Sequence, residues 1–208
     1  MSEIFDARLF TEVFITLFVI MDPPGIVPIF LGLTGAMTAK QRNRAARQAI
    51  LVAFGVICSF AIFGQQLLNY MHISMAALQA SGGLLLLLIA MELLTGKSEE
   101  PQPSGNAGVN VAMVPLGTPL LAGPGAIVAI MVAVQASDES TSDWVSIALA
   151  VVAVHISLWI AMRFSNVIRR VLRDSGTILF TRIAGLLLAA IAVQLVADAV
   201  RAFIETTA

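Results

Sequence analysis

Four stretches of this chain, Gln48 to Met71, Ile73 to Met91, Gly105 to Ser137 and Trp144 to Met162, contain no Asp, Glu, Lys or Arg. Each reaches or approaches the roughly 20 residues with which a helix crosses about 30 Å of hydrocarbon. They are apolar on every face rather than along one stripe, which a soluble all-α protein with polar outer faces does not match. Charged residues make up 12% of the chain, against roughly 25% in an average soluble domain, too few to coat a water-facing surface. The chain therefore reads as an all-α integral membrane protein, a single membrane domain over residues 1–208 with lipid as its solvent.

Six transmembrane helices are predicted, at about residues 9–33, 48–70, 73–95, 111–135, 144–163 and 177–200. Barrel strands would be shorter and would alternate. Lys40, Arg42, Arg44, Arg47, Lys97, Arg163, Arg169, Arg170 and Arg173 fall in the first, third and fifth connections, whereas the second and fourth carry no Lys or Arg. Because basic connections stay cytoplasmic, both termini are expected outside. Tyr70 and Trp144 then sit at outer span ends, at headgroup level. The N-terminal segment, with Glu3, Asp6 and a single Arg8 and no small-residue cleavage site, does not read as a removable signal peptide. A net charge of -1 with no large basic block argues against a nucleic-acid partner. Cys58 stands alone in an apolar run, so neither a disulfide framework nor a Cys-based metal motif is expected.

The Pro- and Gly-containing stretch 97–110 reads as a cytoplasmic linker between two halves, 1–96 and 111–208. The halves resemble one another. Met21-Asp22-Pro23-Pro24-Gly25 aligns with Leu121-Ala122-Gly123-Pro124-Gly125, Gly83-Leu84-Leu85-Leu86 with Gly185-Leu186-Leu187-Leu188, and Ile89-Ala90-Met91-Glu92-Leu93 with Ile191-Ala192-Val193-Gln194-Leu195. With three spans per half, the copies must insert in opposite orientations, giving a 3+3 inverted repeat of the kind that builds secondary transporters.

Asp22 lies near the middle of the first span, where an ionised carboxylate costs roughly 3 kcal/mol or more. Pro23 and Pro24 follow it, remove two backbone donors and crowd the preceding carbonyls, so the span is expected to break there. Asp22 would cap the second half-helix, with Pro23 at its first position. Capping of Gly25 and Ile26 is one reading of Asp22; lining a cavity is another, and the two are compatible. The fourth span is expected to break at Gly123-Pro124-Gly125, which has no acid, leaving the amides of Gly125, Ala126 and Ile127 as anion-attracting donors. A carboxylate at one break and bare amides at the other suit a small zwitterionic solute. Candidate binding residues are thus Asp22, Gly25, Gly123, Pro124, Gly125 and Ala126, with Gln79, Glu92, Thr118 and Gln194 as candidate pathway residues.

Glu92 and Gln194 occupy equivalent repeat positions and read equally well as interfacial residues. Arg182 reads as a snorkelling anchor. Gln79, Gly82 and Gly83 share a face, as do Gly185, Ala189 and Ala192, the pattern of close helix packing. His155 reads as a hydrogen-bonded core residue. No His-Glu-x-x-His, Gly-x-Ser-x-Gly or Walker sequence occurs, so no enzyme, cofactor or nucleotide-driven pump is expected.

Asp22-Pro23-Pro24-Gly25 with Pro28, the run from Pro115 through Pro119-Leu120-Leu121-Ala122-Gly123-Pro124-Gly125-Ala126-Ile127, and Arg182-x-x-Gly185 followed by Val193-Gln194 resemble the MarC family over nearly the whole chain. The resemblance implies a six-span protein of the prokaryotic inner membrane. Through SnatA-type relatives and a distant similarity to LysE-type exporters, it also implies transport of small neutral amino acids. A proton or sodium ion would be the coupling partner, membrane lipid the surroundings, and a homo-oligomer is compatible with it. A membrane scaffold or assembly protein without transport, an exporter of drugs or other small solutes, and a membrane enzyme acting on a lipid or peptide are the alternatives; for the last, His155 with Ser157 or Asp22 would be the candidates, and they form no recognisable motif. A scaffold would pack its two breaks tightly, with no connected polar cavity.

Overall fold

The computed structural model describes residues 5–35, 37–96, 121–137 and 140–207. All regular secondary structure among them is helical: α1 Ala7–Met21, α2 Pro23–Leu33, α3 Ala39–Met71, α4 Met75–Thr95, α5 Pro124–Gln135, α6 Thr141–Arg163 and α7 Ser165–Thr207. Ala7–Leu33 taken through its break, Ala39–Met71, Met75–Thr95, Thr141–Arg163 and Ser175–Glu205 are long and apolar enough to cross a membrane, and Pro124–Gln135 is a shorter apolar helix. The expected first half of the fourth span, with Pro115, Thr118 and Pro119, and the linker 97–110 lie outside the described residues.

Local chemistry fixes most of the helix starts. Asp6 caps α1 by accepting from the amides of Arg8 at 2.8 Å and Leu9 at 3.0 Å, while its own amide donates to Ser146 Oγ at 2.8 Å and ties α1 to α6. Thr38 and Gln41 form a reciprocal capping box that starts α3. Ser74 and Ser140 cap α4 and α6 through Ala77 and Asp143.

Two connections differ from the expectation of loops. At about 1.5 Å per residue, the 33 residues of α3 run about 50 Å, so Lys40 to Arg47 form its first turns rather than a linker. Only Phe164 separates α6 from α7, and the basic stretch after it is helical. Periodicity of apolar residues marks where a helix must be buried, and it is silent about polar turns that prolong the same helix into water.

The tightest helix pair is α4 with α7, where Leu86, Ala90, Leu188 and Ala192 are fully buried. Glycines set the approach. A Cβ on Gly83 would stand 2.8 Å from the Ala192 carbonyl oxygen, and one on Gly185 would stand 3.2 Å from the Ala90 carbonyl oxygen. Any side chain at either position would force the backbones apart. The second core gathers Val13, Leu17 and Met21 of α1, Phe30 of α2, Ile57 of α3, Ile130 of α5 and Leu158 of α6. Outside these cores Leu51, Leu186, Ile204 and Val171 are between 64% and 72% exposed. That apolar outer surface is suited to hydrocarbon and unsuited to water.

Candidate functional site

The first break is a single residue. Asp22 ends α1, its amide donating to the Phe18 carbonyl at 3.0 Å, and begins α2, its carbonyl accepting from Ile26 at 3.0 Å. Its backbone is left-handed, with φ 39° and ψ 68°. Outside glycine, Asp and Asn tolerate that region best. The continuous α conformation is disfavoured there by Pro23, which crowds the residue before it. Oδ1 accepts from the Gly25 amide at 3.2 Å. Oδ2 is buried without a hydrogen-bond partner, in a residue only 9% exposed. Asp22 is thus a cap whose second oxygen meets no amide and has only the Thr181 hydroxyl of α7 beside it, and the Gly25 amide is already occupied. A Cβ on Gly25 would collide with Oδ2 and stand 3.2 Å from the Thr181 hydroxyl. Thr181 of α7 therefore lies beside this carboxylate.

The second break has the opposite character. The chain is non-helical at Ala122 and Gly123 and turns helical at Pro124. Gly123 is the N-cap, extended at φ -69° and ψ 166°, with no side-chain capping bond. Ile127 donates to the Gly123 carbonyl at 3.1 Å, so the expected free donors narrow to Gly125 and Ala126, both buried. They sit at the positive end of the α5 dipole. A Cβ on Gly125 would run into Leu86 of α4 and stand 3.4 Å from Ile20 of α1. Ile20 is two residues before Asp22, so the start of α5 packs against the end of α1 that leads into the first break.

A cavity of about 540 Å³ opens among α1, α4, α5 and α7, within the range of small-molecule sites. Its polar lining is Glu12, Thr16, Gln79, Gln194 and Asp198. Gln194 Nε2 donates to both carboxylate oxygens of Asp198, at 2.9 and 3.1 Å. No Lys or Arg lines it. It runs from Leu9 to Leu17 along α1, about 12 Å of helix, and neither Asp22 nor Gly123 to Ala126 lines it. Leu17, buried, is the lining residue nearest the first break along α1.

Gln79 and Gln194 are thus brought to one cavity. Glu92 is exposed on α4 and lines neither this cavity nor the first break. Thr118 lies outside the described residues. Sequence reading missed Glu12, Thr16, Asp198 and Thr181. Signals existed: Asp198 is one turn from Gln194, Thr16 one turn from Glu12, and Thr181 follows Gln79 by the same 102 positions that relate Gly185 to Gly83. His155 is a core residue as expected, its Nδ1 2.7 Å from the Val151 carbonyl and its ring edge-on to Phe54 at 5.1 Å. Among the described residues no group of three or more His, Cys, Asp or Glu could hold a metal.

Residues 7–204 match the profile described as MarC family integral membrane protein. A UPF0056 membrane protein of Methanocaldococcus jannaschii is 33% identical over 201 residues, covering 94% of this chain and 98% of its own. Similar proteins occur in Bacillus subtilis, YvbG, 30% identical over 89% of this chain and 90% of its own, and in Escherichia coli, YhcE, 30% identical over 95% and 94%. No solved structure matches the chain. With a profile match over nearly its whole length and relatives of the same size in bacteria and archaea, this multi-pass membrane protein belongs to the MarC family.

Proposed function

We propose that the protein is a secondary transporter or exporter of small neutral amino acids across the plasma membrane, not an enzyme, with both termini outside. The observation that carries this reading is the buried Asp22 carboxylate at a helix break, its Oδ2 met by nothing but the Thr181 hydroxyl, together with free amides at the start of α5, which packs against the end of α1. A buried charge needs a partner, and acids at this depth mark solute or ion pathways by default. A zwitterion would meet the carboxylate with its ammonium and the Gly125 and Ala126 amides with its carboxylate. A proton or sodium ion is the corresponding coupling partner when the solute is absent. The cavity lined by Gln79 and Gln194 is the solute's way in from the end where α1 begins. Because it stops short of the breaks, an inward movement of Leu17 or Met21 side chains is required before solute reaches them.

The 3+3 inverted repeat is part of this reading. Supporting it, Gly83 meets Ala192 and Gly185 meets Ala90, and both members of each pair shift by 102 positions, as a two-fold axis between α4 and α7 requires. In the same sense α2 packs on α6 and α7 while α5 packs on α3 and α4.

Uptake and efflux of labelled glycine and alanine in proteoliposomes, with proton and sodium gradients imposed in turn, tests the function. Flux driven by either gradient is expected. The close packing around Gly25 and Gly125 favours a scaffold as the second reading, and absence of flux in both directions would select it. For the topology, cysteines replacing Arg44 and Ser140 in a Cys58→Ala background should label from opposite sides of the membrane. Labelling from one side would overturn the inverted arrangement.

A further inference from the structure

A second concavity, of about 380 Å³, lies on the outer surface between α3 and α6. Arg47, Leu51 and Phe54 form one wall, and Val152, Ile156 and Trp159 the other. Both walls repeat at helical spacing, so the groove follows the two helix axes rather than crossing them. The Phe54 and His155 rings in contact fix the register between the helices. From Phe54 back to Arg47 is about 10 Å of helix, and from His155 on to Trp159 about 6 Å. Arg47 therefore stands at the mouth, Trp159 just below it, and the apolar remainder runs deeper into the span. Lys40, Arg44 and Arg163 lie beyond the same mouth, at the end where α3 begins and α6 finishes. Arg47 is exposed, and among the described residues no carboxylate pairs with it.

We propose that this groove is a site for one acyl chain of an anionic glycerophospholipid, with Arg47 holding the headgroup phosphate. Hydrocarbon suits the deep part because the surface its walls expose is carbon, the Nε2 of His155 being buried behind it. His155 adds rigidity there, because its Nδ1 contact with Val151 fixes the ring. Arg47 lines the groove with its aliphatic stem, and its exposed guanidinium, beyond the mouth, is able to take two phosphate oxygens, with an indole at the interfacial level that Trp prefers. Basic pockets between spanning helices select anionic lipid on these grounds. The site is separate from the two helix breaks and does not depend on transport.

The chain has only two tryptophans, Trp144 and Trp159, at opposite ends of α6, so each can be isolated by one substitution. In a Trp144→Phe variant reconstituted in phosphatidylcholine, Trp159 emission should be quenched about fivefold more effectively by phosphatidylglycerol brominated in one acyl chain than by equally brominated phosphatidylcholine. Arg47→Gln should bring the two lipids to parity, and Val152→Phe, which fills the groove, should weaken quenching by phosphatidylglycerol. The Trp159→Phe variant, reporting from Trp144, should show no preference. Equal quenching of Trp159 by both lipids would overturn the site. So would a preference that survives Arg47→Gln, which would assign it to the diffuse basic end. Quenching unchanged by Val152→Phe would put the chain outside the groove.

Discussion

The two helix breaks begin with the same chemistry and finish differently. Each starts a half-helix at a proline, followed by a glycine whose missing side chain admits a close neighbour. At the first, the N-cap is Asp22, held left-handed, with one oxygen on the Gly25 amide and the other on no amide, beside the Thr181 hydroxyl. At the second, the N-cap is Gly123 in an ordinary extended conformation, with no side chain to offer. If breaks served only to end and restart helices, Ser, Asp or Asn would be the favoured cap at both, although glycine costs only a few tenths of a kcal/mol by comparison. Glycine at α5 therefore loses little stability and leaves two donors without a cap, while Asp22 accepts local strain on the order of 1–3 kcal/mol and leaves one acceptor to the Thr181 hydroxyl alone. The difference is complementary in kind, an acceptor at one break and donors at the other, and α5 packs against the end of α1.

The largest expected effect comes from closing the second break. Gly125→Val drives a branched side chain into Leu86. Glycine or alanine flux should fall to background in proteoliposomes, and unfolding should show a loss of roughly 1–3 kcal/mol from overpacking. Flux at the parent level would mean that the α5 amides take no part.

Asp22→Asn tests the first break with its fold preserved, because Asn is an equally good cap and tolerates the left-handed region. Replacing a charged acceptor should weaken alanine binding by roughly 10- to 100-fold, with thermal stability little changed. Isothermal titration in detergent beside a melting curve separates the two. Unchanged affinity with lowered stability would leave Asp22 a cap and nothing more.

A smaller effect should follow from making the breaks alike. Gly123→Asp gives α5 the side-chain cap it lacks, worth a few tenths of a kcal/mol in melting, while setting a second carboxylate where the substrate carboxylate is expected. Flux should fall although stability does not. If flux is retained, the asymmetry between the breaks has no functional meaning.

Both breaks were legible in the sequence because proline acts locally: it removes a donor and restricts its predecessor whatever surrounds it. The Thr38 to Gln41 capping box was equally local, yet α3 was expected to begin nine residues later, since apolar periodicity begins only where burial does. Glu12 and Asp198 escaped notice because they lie at opposite ends of the chain, and single acids near span ends resemble ordinary interfacial residues until α1 and α7 face one another.

A bilayer setting, a first span interrupted at Asp22 and an α5 that starts at Pro124 all follow from short runs of residues read alone. Charge-free length, proline and capping chemistry are properties of a few consecutive residues, and they hold in any fold. Packing had to be seen to learn that Thr181 lies beside the second Asp22 oxygen, that the cavity of Gln79 and Gln194 stops short of the breaks, and that Arg47 heads an apolar groove. Each depends on which helix faces meet, and those are set by the close approach of backbones at Gly83 and Gly185 and by the packing of side chains far apart in the chain.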